Sequence, residues 1–136
     1  YYYYYVTAVN TEGQEGLAID TLRYMLIDKP DLLKVNKEDE RYDPDIDGLP
    51  ILTWNFIEIP DLFILRIENS FDQLHYVHIF QVIDYFNAQD LDLNDPEKVP
   101  DLPEFPPGTY KWRIDKIGPD EDNSGSESNW AVFIII

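Results

Sequence analysis

Residues 109–117, TYKWRIDKI, alternate Tyr110, Trp112 and Ile114 with Lys111, Arg113 and Asp115. In an extended chain a period of two puts successive side chains on opposite faces, so this segment predicts a strand with one buried and one solvated side. The rhythm recurs. PDLFILRIENS alternates Phe63, Leu65 and Ile67 with Ile64, Arg66 and Glu68, and ILTWNFIEI sets Leu52 and Trp54 against Ile51 and Thr53. Ten prolines and many Asp and Asn residues cut the chain at short intervals, as turns between strands require. Helix and strand periods do not alternate, which argues against an α/β fold. The fold class expected is all-β.

The other segments fit around these. In YYVTAVN, Tyr4, Val6 and Ala8 alternate with Tyr5, Thr7 and Val9; NTEGQEG then supplies two glycines for a hairpin loop, and LAIDTLRYMLI returns with imperfect alternation. Residues 1–28 are therefore expected to be a β-hairpin, which alone is marginally stable in water. After the breaker Pro30, Leu32, Leu33 and Val35 predict a short strand. KEDERYDPDIDGLP is expected to be a charged loop, QLHYVHIFQVIDYF one or two strands, and AQDLDLNDPEKVPDLPEFPPG a long Pro/Asp connection. GPDEDNSGSESN is expected to be an acidic loop before the last strand, WAVFIII. Six or seven short strands over residues 29–136 are the pattern of an immunoglobulin-like sandwich.

Particular residues resemble the fibronectin type III family. Tyr4, Val6, Ala8, Val9, Asn10 and Gly13 match the sixth strand and following loop of such a domain. Pro107, Gly108, Thr109, Tyr110 and Trp112 match the entry to the same strand in a second copy, and Leu52, Thr53 and Trp54 followed by Phe63, Leu65 and Ile67 match its second and third strands. The resemblance implies the end of one domain (1–28) followed by a complete fibronectin type III-like antiparallel β-sandwich (29–136). Three features depart from the pattern: the span from Trp54 to Tyr110 is long, QLHYVHIFQVIDYF has no obvious turn, and the first copy lacks everything before its sixth strand. A late hairpin needs a sheet to complete, so it is expected either to end an upstream domain or to be donated to a neighbour.

Charge narrows the partners. With 27 acidic and 10 basic residues the formal net charge is −17, a field that repels phosphate backbones and anionic membranes. Neither nucleic acid nor membrane insertion is expected. The absence of cysteine excludes disulfides, thiol nucleophiles and zinc–thiolate sites.

Several residues are candidates for chemistry. Asp43, Asp45 and Asp47 precede Gly48 in DPDIDG, and alternate carboxylates before a turn can converge on Ca²⁺. Trp54 stands where an EF-hand needs its bidentate glutamate, so the site would be partial and closed by Glu38, Asp39 or Glu40. The competing reading is a solvated, turn-rich linker. DLDLND and PDEDNSGSES are weaker versions, better read as solvated loops. His75 and His78, the only histidines, are spaced for opposite faces of a strand and are not expected to share a metal. No nucleophile–base motif singles out an active site, and no enzyme is expected. Trp54 and Trp112 are expected in the core; Trp130 and outward tyrosines such as Tyr3 and Tyr5 are candidates for surface contact.

The function expected is non-catalytic: an extracellular or cell-surface structural and adhesion module in a tandem array or self-assembling fibre. Its joints would be strand pairs made by Tyr1, Tyr2, Tyr3, Tyr4, Tyr5 and Val6 with neighbouring domains or identical subunits. The alternative is a carbohydrate-binding accessory module of a secreted polysaccharide-degrading enzyme, with a glycan as partner.

Overall fold

The computed structural model describes residues 2–9, 15–26, 28–57, 60–81, 88–118 and 124–136. All the regular structure among them is β. A hairpin of β1 (Tyr2–Val9) and β2 (Glu15–Leu26) comes first, followed by β3 (Asp31–Val35), β4 (Arg41–Tyr42), β5 (Ile51–Asn55) and β6 (Leu62–Asn69). Then come β7 (Leu74–Gln81), β8 (Ala88–Asp92), β9 (Gly108–Ile117), β10 (Ser124–Glu127) and β11 (Ala131–Ile135).

Two sheets result. The smaller has the order β3-β5-β8. The larger is built on β9, the longest strand of the sandwich. One edge of β9 pairs along its length with β6, which pairs with β7. Its other edge is shared: β11 takes Gly108–Trp112 and β10 takes Asp115–Ile117. Ser128 fills the break between those two strands, accepting the Ile114 N–H through its hydroxyl at 2.9 Å and donating its own N–H to the Ile114 carbonyl at 3.0 Å. Beyond β10 lie β2 and then β1, and beyond β11 lies β4. The β2–β10 and β4–β11 pairs are parallel, so the large sheet is mixed where an antiparallel one was expected.

The core lies between the sheets and follows the alternation. Trp54 of β5 meets Phe63 of β6 and Phe80 of β7 edge-on, with ring centroids 5.4 and 5.9 Å apart. Leu52, Leu65, Ile67, Trp112 and Ile114 are fully buried around them. Edge-to-face rings add attraction beyond the area they bury. A second aromatic group, Phe105, Tyr110 and Phe133, closes the other end, and Tyr110 donates its hydroxyl to the Pro106 carbonyl at 2.6 Å. Tyr76 does the same to Pro100 at 2.7 Å. These two bonds fasten the connection between β8 and β9 to the sandwich.

Three expected loops contain strands. Residues 37–50 include β4, whose Tyr42 is buried and hydrogen-bonded through its hydroxyl to Asn36. The expected Pro/Asp connection begins with β8, where Gln89 and Leu91 point inward, as does Leu93 just beyond the strand, while Asp90 and Asp92 face out. The acidic loop before the last strand contains β10. In each case paired backbone groups prevail over a strongly polar composition, helped in β4 and β8 by the buried Tyr42 and Leu91.

Candidate functional site

The hairpin occupies the outer flank of the large sheet. β1 pairs with β2 alone, from Tyr2↔Tyr24 to Val9↔Glu15, and its second edge carries no strand among the described residues. Tyr2 to Tyr5 and Val6 thus lie on a strand already paired within the chain; Tyr1 lies outside the described residues. The opposite flank is β7, paired among the described residues only with β6. On its outer face Val77 and Ile79 are exposed.

Charge separates these two edges from the others. The flanking strands of the small sheet carry Asp31 and Lys34 on β3 and Asp90 and Asp92 on β8, and β4 carries Arg41. Charged side chains are a common means of keeping an edge from pairing with another chain. β1 (YYYYVTAV) and β7 (LHYVHIFQ) have neither a charged residue nor a proline. In this they match β5 and β11, which are paired on both sides.

The candidate calcium loop is folded on itself. Asp45 donates its N–H to Asp43 Oδ1 at 3.0 Å, and Asp43 donates its N–H to Asp47 Oδ2 at 2.9 Å. Lys37 Nζ sits 3.2 Å from the same Asp47 oxygen. These bonds hold the Asp47 carboxyl below its usual pKa, the Asp43 backbone first and Lys37 second. Gly48 ends the loop at φ +72° with Asn94 packed against it; a Cβ there would lie 2.7 Å from Asn94 Oδ1. Asn94 accepts the Leu49 N–H at 2.7 Å and donates to the Leu49 carbonyl at 2.8 Å. In DLDLND, Asp90 accepts the Thr53 hydroxyl and Asp92 the Asn94 amide. Among the described residues no three acidic or histidine side chains gather as a metal site needs. Residues 119–123 of the last acidic loop lie outside the described residues, while Glu127 pairs with Arg113 at 3.4 Å.

Trp130, 38 % exposed, stands where β10 gives way to β11. Lys111 Nζ and Arg113 Cζ lie over its ring, 4.7 and 4.9 Å from the centroid, the geometry of cation–π attraction. Beside it a cleft of about 260 Å³ is lined by Lys29, Asp31, Leu32 and Asn129 among others. Leu32 has φ +51°, unfavourable for a branched side chain, and sits in the irregular register between Asp31 and Lys34. Asp115, under the same face, has its carboxyl pushed up by burial, against the pull of Arg113.

The histidines are packed among rings. His75 lies against Phe105 and Tyr110, and His78 stacks between Tyr76 and Phe80. Burial lowers both pKa values from 6.5, opposed by bonds to the Glu104 and Lys98 backbone. Well above pH 6.5 both the fold and the unfolded chain hold them neutral and their contribution is whole. As pH falls below that value the unfolded chain takes up protons the fold resists, so stability falls. The thermal midpoint is expected to drop between pH 7.5 and 5.5, and a His75→Phe/His78→Phe variant to show a flatter profile over that interval.

No protein-family model matches the chain, and no curated protein matches it.

Proposed function

We propose that this chain is a non-catalytic structural module of the immunoglobulin or fibronectin type III kind, which builds an extracellular array or surface fibre by strand pairing through its N-terminal hairpin. The strand order supports the family reading. β3-β5-β8 corresponds to the A-B-E sheet, and β7-β6-β9 with β10 and β11 to the C′-C-F-G sheet. The Tyr110–Pro106 bond has the form of the tyrosine corner found at the start of strand F.

The observation that carries the function is the edge of β1. An uncharged eight-residue strand at the rim of a sheet offers a full row of backbone donors and acceptors for another strand. A carbohydrate-binding role has weaker support, because the one exposed tryptophan of the sandwich already stacks with two cations. Light scattering and electron microscopy test the reading. The full chain is expected to assemble, and a Tyr3→Lys/Tyr5→Lys variant to remain a single chain. A wild-type chain that stays monomeric at hundreds of micromolar would sink it.

A further inference from the structure

We infer that the acceptor for β1 is the β7 edge of a second copy, so that copies join head to tail into one continuous sheet. The inference rests on the strand-pairing reading above and adds its partner. Two copies of a chain with net charge −17 repel each other, so a stable contact must form where neither presents carboxylates. Of the three strands that end the large sheet, β1, β4 and β7, only β1 and β7 carry no charged residue, and they lie on opposite flanks. Both strands are eight residues long, and each keeps a regular register over a run, Tyr2–Val6 on β1 and Tyr76–Gln81 on β7, along which their outer backbone groups can match.

Direction agrees as well. β7 is antiparallel to β6, β6 to β9, and β9 to β10; β10 is parallel to β2, which is antiparallel to β1. β1 and β7 therefore point the same way, and a copy displaced along the sheet without inversion sets its β7 parallel to the first copy's β1. Such a contact uses different surfaces on the two partners, so it leaves one free edge at each end and repeats without closing. Six strands lie across the repeat, β7-β6-β9-β10-β2-β1, which gives an axial rise of roughly 29 Å at ~4.8 Å per strand.

Two full-length variants test the pairing. Tyr3→Lys/Tyr5→Lys charges β1, and Val77→Lys/Ile79→Lys charges β7 at exposed positions where the core is untouched. Circular dichroism of each checks that the fold survives. Each variant alone is expected to be monomeric, and an equimolar mixture to give a one-to-one dimer, since each supplies the edge the other lacks. If the β7 variant still forms fibres, the inference fails while strand pairing through β1 stands. If neither variant assembles and their mixture stays monomeric, the inference is overturned. If the wild-type chain never assembles, the strand-pairing reading fails first.

Discussion

Replacing Trp54 with alanine is expected to destabilise the fold by about 3–5 kcal/mol, the usual range for emptying a large aromatic site in a core. Trp54 is fully buried in the middle strand of the small sheet. Its ring touches Phe63 and Phe80, both on the large sheet, so it spans the gap between the layers. Leu52 and Leu91, on its own sheet, are pinned in register by the β5–β8 ladder and cannot collapse inward without breaking that ladder. A domain of this size is stable by about 5–15 kcal/mol, so the loss is a large part of the whole. Urea titration followed by circular dichroism measures it. Trp54→Phe separates ring volume from polarity. The indole Nε1 is buried with no hydrogen-bond partner among the described residues, so the phenylalanine variant loses volume without losing a bond. It is expected to retain most of the stability. A Trp54→Ala variant within about 1 kcal/mol of wild type would mean that the sheets are held elsewhere.

The alternation that makes Trp54 legible in the sequence fails in specific places. β5, β6 and β9 as far as Ile114 place large apolar residues at every second position, and nothing competes with that signal. β8 carries the same alternation, but its outward positions are Asp90 and Asp92 and its inward ones include Gln89, so composition points to a loop. β4 is two residues long, too short to have a period; its one signal is a tyrosine among charges. The parallel pairing of β2 with β10 joins segments about a hundred positions apart and leaves no local trace. At the candidate site, exposure of Trp130 follows from its place beside the Ser–Asn break, but the cations over its ring depend on the β9–β11 register. The acidic loop supports two uses at once: Asp43, Asp45 and Asp47 close a tight turn through their own hydrogen bonds, and the same spacing of carboxylates suits calcium. The alternation of β9 also hid one residue. Lys116 continues the series Tyr110, Trp112, Ile114 and points inward with a charge.

That lysine sets the second large effect. The Lys116 side chain is 0 % exposed, and its Nζ lies 2.6 Å from Oδ1 of Asp28, the residue between the hairpin and the sandwich. Oδ2 of Asp28 accepts the Ile57 N–H at 2.9 Å, and its carbonyl accepts the Ser126 hydroxyl at 2.9 Å. One residue thus ties β9, the end of β5 and β10 to the point where the chain leaves β2. Asp28→Ala is expected to destabilise by about 3 kcal/mol, because it removes at once the carboxylate beside a fully buried ammonium and the acceptor of the Ile57 N–H. The pair need not be favourable in itself, since replacing both charges with well-packed neutral groups is often neutral or stabilising. An Asp28→Asn/Lys116→Met variant is therefore expected to lie much closer to wild type than Asp28→Ala. The asparagine keeps an acceptor for Ile57, and the methionine fills the lysine's volume without its charge. The loss in Asp28→Ala should also change little between low and high salt, because counterions screen a buried pair poorly. A deficit that vanishes in salt would assign the contact to the surface. A double variant as unstable as Asp28→Ala would show that the ion pair itself, and not relief of a buried charge, holds this junction.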